Sequence, residues 1–127
     1  MKNILLLYII FDKMNSGTLI PIVYQDDDII LVNKKSGLAS QGGAGVGKSV
    51  DMELSAQIGQ KVYLCHRLDK DTSGLLLCAK NPAAAANWSR LIGEKSVKKE
   101  YKALCFGSPK NPRGKISLPI NEKGQAK

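Results

Sequence analysis

The sequence predicts an α+β fold with a mixed or antiparallel sheet and flanking helices. Three observations lead there. Short runs rich in β-branched and large apolar residues recur along the chain, each bounded by turn residues. Two segments, near residues 50–58 and 83–92, carry helix start signals. The resulting order, β, β, α, β, β, α, β, β, places strands beside strands and does not alternate strand with helix.

Ile22–Tyr24 and Ile29–Asn33 read as two strands joined by the acidic turn Gln25-Asp26-Asp27-Asp28. Lys34-Lys35-Ser36-Gly37 is a turn, and Ser40–Gly47, with four glycines, is a loop. Ser49 then stands where a helix cap belongs. Asp51 and Glu53 suit the first turn of a helix over Val50–Ile58, because negative charge is favoured at a helix N-terminus. Met52, Leu54, Ala56 and Ile58 do not make a clean helical stripe.

Val62–Cys65 is a short strand. The polar stretch His66–Gly74 follows, then the apolar run Leu75–Ala79, which reads as a buried strand. Asn81-Pro82 opens an alanine-rich helix over Ala83–Ile92, with proline in the first helical position and Gly93 at the end. Val97–Phe106 alternates as a strand, with Tyr101, Ala103 and Cys105 on one face. Arg113-Gly114 is a turn before the strand Ile116–Leu118, and Pro119–Lys127 is a polar tail.

The chain has 127 residues, 43% of them hydrophobic and 24% charged, the composition of one globular domain or a piece of one. Nineteen Lys and Arg against eleven Asp and Glu leave a net charge of +8, which favours a polyanionic partner, RNA or DNA. Cys65, Cys78 and Cys105 each sit in an apolar run and form no C-x-x-C pair. They read as reduced core residues of a cytoplasmic protein. With a single His, no zinc set can be assembled, and no metal is expected. The run Ile4–Phe11 is too short to span a bilayer, and Asp12 and Lys13 follow it with no cleavage site, so no membrane partner is expected. Residues 1–19 read as an N-terminal extension, with Met14 an alternative start; residues 20–127 form the domain.

Gly42-Gly43-Ala44-Gly45-Val46-Gly47-Lys48-Ser49 spells the phosphate-loop pattern G-x-x-x-x-G-K-[ST]. A working phosphate loop follows a buried strand directly. Here the strand ends at Asn33, and Leu38-Ala39-Ser40-Gln41 leads in. No apolar strand ends in a magnesium-binding Asp either. A phosphate-loop nucleotide-binding protein is therefore the weakest of the functional alternatives.

The dense stretch His66-Arg67-Leu68-Asp69-Lys70-Asp71-Thr72-Ser73-Gly74 lies between two apolar strands. An Asp held there can act as nucleophile or general base, and a neighbouring Arg can contact nucleic acid. The residues alone also fit a solvated turn whose charges pair off. A Ser73-His66-Asp69 triad is disfavoured, because such groups normally come from separate segments. Tyr101, by pattern alone, is an aromatic of a core strand.

H-R-L-D-K-D-T-S-G-L-L-L closely resembles the H-R-L-D-x-x-T-S-G signature of the RluA-type pseudouridine synthases. Residues 22–38 resemble that family's opening strands and N-K-P-x-G-L turn, with Lys35 in place of the proline. Lys98–Leu104 resembles its K-x-Y-x-A-L strand, and Gly114–Ile120 the segment after it. The likeness runs from about residue 20 to the last residues.

The resemblance implies the N-terminal half of a pseudouridine synthase catalytic domain that isomerises uridine to pseudouridine in ribosomal or transfer RNA. The bond from the ring nitrogen to the ribose breaks, the base turns, and a carbon–carbon bond forms, with no cofactor. It implies Asp69 as the catalytic aspartate and Arg67 as the arginine beside the flipped nucleotide. Tyr101 becomes the tyrosine that stacks on the target base. His66, Thr72, Ser73 and Gly74 shape the loop, and Lys48 is assigned a contact to an RNA phosphate. The family domain continues for about a hundred further residues. They bring a basic partner for the aspartate that this sequence does not contain. The chain is accordingly expected to be an impaired part of a catalytic domain, from a truncated, split or frameshifted gene. It is also expected to self-associate or bind a complementing fragment. The alternative is a non-catalytic RNA-binding half-domain.

Overall fold

In the first hairpin, Asp26 sets the turn. Its carboxylate accepts from the backbone N–H groups of Asp28 and Ile29 at 2.9 and 2.8 Å, and these two bonds hold its pKa below the ordinary carboxylate range. The turn joins β1 (Ile22–Gln25) to β2 (Ile29–Lys34). The computed structural model describes residues 19–119, and the N-terminal run Ile4–Phe11, Met14 and the tail beyond Pro119 lie outside them.

The remaining elements are α1 (Val50–Ile58), β3 (Tyr63–Leu64), β4 (Gly74–Ala79) and α2 (Pro82–Gly93). The four strands form one sheet in the order β1-β2-β4-β3, and every neighbouring pair is antiparallel. The α+β reading thus stands, with an antiparallel sheet.

Period-2 alternation decides the two faces. Along β2, Ile30, Val32 and Lys34 point to one side and are fully buried. Leu76 and Cys78 of β4 join them, and α1 covers this face through Val50 and Leu54. Leu77 and Ala79 point to the other face, where α2 packs Ala84, Ala85, Trp88 and Ile92. β4 is therefore covered on both sides, which is why its sequence is a continuous apolar run. The stripe of α1 is Val50, Leu54 and Ile58, one residue every turn; Met52 is exposed.

Asn81 caps α2 by accepting from the Ala84 N–H at 2.8 Å, and Pro82 takes the first helical position. Gly93 closes the helix, and Lys95 leaves it with φ +60°. Ser49 occupies the N-cap of α1 without capping it, because its hydroxyl donates to the Asp51 carboxylate.

Three expectations are corrected. Val97–Phe106 and Ile116–Leu118 are not strands: among the described residues no strand lies beyond β4. Alternation yields a strand only where a partner supplies the ladder and covers the apolar face. No backbone hydrogen bond joins residues 97–119 to the sheet. Cys105 is exposed for the same reason, whereas Cys65 and Cys78 are buried and unpaired. Burial pushes the Cys78 thiol up to about 12. The third concerns Lys34, expected in a turn. It ends β2 and faces the core.

Candidate active site

The segment from Cys65 to Ser73 crosses from β3 to β4 at one end of the sheet, and the 34–40 turn lies against it. The two are fastened at three residues flanking Asp69, namely Leu68, Lys70 and Asp71. Ser40, itself buried, donates its hydroxyl to the Leu68 carbonyl at 2.5 Å and accepts from the Leu68 N–H at 3.0 Å. The Lys70 carbonyl accepts from the Gly37 N–H and from the Lys34 ammonium, both at 2.9 Å. The Asp71 carbonyl accepts from the Ser36 hydroxyl at 2.8 Å. Between Leu68 and Lys70, the side chain of Asp69 stands exposed. A rigid backbone with an accessible carboxylate is what a group acting on a bound substrate requires.

Lys34 is the centre of this clamp. Its side chain has 0% exposure, and its three N–H donors reach the carbonyls of Leu38 at 2.7 Å, Lys70 at 2.9 Å and Lys35 at 3.1 Å. Burial holds its pKa below the ordinary lysine value, opposed by the negative charges of Asp71 and Asp69. Glycine is required twice here. Gly37 turns at φ +86° to present its N–H to Lys70, and Gly74 opens β4 at φ +129°, opposite Lys34.

Arg67 lies on the same loop as Asp69 and is exposed. Thr72 closes a turn by donating its N–H to the Asp69 carbonyl at 3.0 Å. His66 is half-buried. Its Nε2 accepts from the Leu77 N–H at 3.1 Å, so the imidazole is committed to β4 and not to Ser73. Burial, helped by the charge of Lys99, pulls its pKa below the usual histidine value. Tyr101 sits exposed on the irregular segment after α2, and no hydrogen bond ties it to this group.

The phosphate-loop string is tied to the body at both of its ends. The Val50 and Asp51 N–H groups donate to the carbonyls of Ala39 and Ser40 at 2.8 and 3.2 Å. The Asp51 carboxylate takes the N–H groups of Gly42 and Met52 at 3.0 and 2.9 Å and the Ser49 hydroxyl. The protein's own carboxylate thus ties the first glycine of the string to the serine that ends it. Lys48 points elsewhere, pairing with Glu53 at 3.5 Å beside a cavity that Lys70 also lines.

The residues of the clamp, Lys34, Ser36 and Ser40, were absent from the sequence-based site. Only Lys34 left a signal, as the next alternate position after Ile30 and Val32.

A family model for RNA pseudouridylate synthase matches residues 28–127. The chain belongs to the RNA pseudouridylate synthase family. The ribosomal large subunit pseudouridine synthase C of Rickettsia bellii is 42% identical over 103 residues. A mitochondrial pseudouridylate synthase of Xenopus tropicalis is 39% identical over 109. Each match takes in 80% of this chain and 34% of the relative, so the chain spans about a third of their length. Human RNA pseudouridylate synthase domain containing 1 superposes with a TM-score of 0.51 at 30% identity, over 65% of this chain and 31% of that one. Human RNA pseudouridylate synthase domain containing 4 shares the fold, with a TM-score of 0.50 at 23% identity, over 72% and 33%.

Proposed function

We propose that this chain carries the catalytic aspartate of an RNA pseudouridine synthase, with Asp69 acting on the ribose or the uracil ring of a flipped uridine. The observation that carries this reading is the clamp on Leu68, Lys70 and Asp71, which holds the backbone on both sides of an exposed Asp69. Arg67, two residues away, occupies the gap left by the flipped base, and Tyr101 stacks on that base once its segment is brought over the loop. The RNA is ribosomal or transfer RNA; the Rickettsia relative is named for the ribosomal large subunit. The unpaired Cys65 and Cys78 suit a reducing compartment such as the cytoplasm.

The test is tritium release from RNA labelled at uridine carbon 5. It is run on the chain itself and on a chimaera in which residues 20–119 replace the matched third of the Rickettsia bellii relative. Turnover removed by Asp69→Ala supports the reading. Turnover that survives Asp69→Ala overturns the assignment of that residue.

A second reading is favoured by the net charge of +8, which suits binding to RNA with or without turnover. In it the chain is a non-catalytic RNA-binding half-domain that pairs with itself or a complementing fragment. It requires salt-sensitive RNA binding without turnover, and oligomers on a sizing column.

A further inference from the structure

Beside the Asp69 loop lies a cavity of about 370 Å³, lined by Lys35, Gly37, Leu38, Ala39, the Gly45–Lys48 end of the glycine-rich loop, Glu53 and Lys70. Its charged lining is three lysines against one carboxylate. Lys35, Lys48 and Lys70 are all exposed and come from three separate segments: the 34–40 turn, the glycine-rich loop and the Asp69 loop. Lys34 lies beneath them. The carbonyls it grips belong to Lys35, Leu38 and Lys70, three of the lining residues, so one buried ammonium fixes the backbone of two walls. Lys48 and Glu53 pair at 3.5 Å with the lysine mostly exposed, a contact of the kind that a competing anion readily displaces.

We propose that this cavity is a phosphate subsite for the RNA chain. It holds a backbone phosphate of a nucleotide next to the one presented to Asp69, since Lys70 follows Asp69 directly. The proposal rests on the synthase reading and deepens it. The recognised chemistry is a phosphate group held by lysine side chains. Free nucleotide carries the same group, but the string is not entered from a buried strand as a phosphate loop is: β2 ends at Lys34, and the lead-in Ala39 and Ser40 spend their carbonyls on the Val50 and Asp51 N–H groups. Glu53 opposes the binding, so its charge tunes the site.

The experiment measures binding of a short, labelled, uridine-containing single-stranded RNA across a salt series. Lys35→Gln, Lys48→Gln and Lys70→Gln are compared singly and together, with Lys61→Gln as the control for a lysine elsewhere on the body. The combined variant is expected to bind at least about tenfold more weakly. Its slope of log K against log salt should be shallower by about 0.7 for each phosphate released. Lys61→Gln should change affinity less than about twofold, and Glu53→Gln should tighten binding about twofold, more than Glu94→Gln, which removes an exposed carboxylate outside the cavity. ATP, the free-nucleotide probe, should compete only as its ionic strength dictates.

Equal losses at Lys61 and at the three cavity lysines overturn the subsite, as does an unchanged Glu53→Gln variant. ATP binding that depends on Lys48 overturns the RNA assignment in favour of free nucleotide. Normal RNA binding by the combined variant, with turnover still dependent on Asp69, overturns the subsite and leaves the synthase reading standing. No RNA binding by the unmodified chain removes both.

Discussion

Residues 20–93 and residues 94–119 both carry apolar runs of strand-like pattern and behave differently. The first region is nearly balanced in charge, with eight basic and seven acidic side chains, and holds every buried residue described. The second carries Lys95, Lys98, Lys99, Lys102, Lys110, Arg113 and Lys115 against Glu94 and Glu100, and leaves Leu104, Phe106 and Ile116 exposed. The apolar pattern of Val97–Phe106 is no poorer than that of β1. What differs is the partner: β1 has β2 four residues away across an Asp26 turn, and the later segment has no strand to pair with among the described residues. Strand formation here is decided by pairing and coverage more than by the residues themselves. Most of the chain's net positive charge of +8 thereby falls on the segment without strands.

The strongest way to break this contrast is a pair of truncations measured by chemical denaturation. Leu54→Ala empties a fully buried position between α1 and the sheet and should cost about 3 kcal/mol. Leu104→Ala should change stability by less than about 0.5 kcal/mol. Comparable losses at the two positions would show that the later segment packs on the body.

Next in size is Lys34→Met, which keeps the apolar stem and deletes the ammonium. Three carbonyls lose a donor, and removal of the buried charge offsets part of that loss, so a net destabilisation of about 2 kcal/mol is expected. Asp69-dependent turnover in the chimaera should fall more than stability alone explains. A variant as stable and active as the parent would remove Lys34 from the clamp.

His66 predicts a smaller, pH-dependent effect. Its pKa in the folded chain lies below its value in the unfolded chain, so its contribution is fully present above pH of about 6.5 and is lost as pH falls below that. Denaturation midpoints should drop on acidification through this range. His66→Gln, which keeps an acceptor for the Leu77 N–H, should flatten the drop. An identical profile in the variant would assign the drop to other groups.

Last, Lys95 stands in the left-handed region at φ +60°, where glycine is at ease. Lys95→Gly should raise stability by about 0.5 kcal/mol, read as a small rise in melting temperature. A decrease would mean that the Lys95 side chain contributes more than its backbone costs.

Much of the fold was legible in the sequence, because its signals are local. The acidic turn, the continuous run Leu75–Ala79 and the Asn81-Pro82 start each act within a few residues. Val97–Phe106 was misread because pattern reports what a segment can do when covered, and coverage is a property of the rest of the molecule. In the candidate site, the proposal of Asp69 and Arg67 comes from the motif that contains them. Ser36 and Ser40 were not, since their hydroxyls act on carbonyls 35 and 28 residues away and a serine in a turn looks the same with or without such a partner. The glycine-rich string matched a motif that its lead-in, Leu38-Ala39-Ser40-Gln41, already argued against. Asp51, two residues past the string, instead ties its first glycine to its last serine, accepting from the Gly42 N–H and the Ser49 hydroxyl.

Lys34 and Lys35 are neighbours in sequence and opposites in chemistry. Lys35 presents its amine to water, while that of Lys34 is sealed behind 0% exposure with every proton engaged. An amine-reactive label should therefore modify Lys35 within the folded protein's ordinary lifetime in solution. It should reach Lys34 only when the whole body opens. The rate of acylation at that one residue then serves as a built-in clock for global unfolding, readable by peptide mass alone.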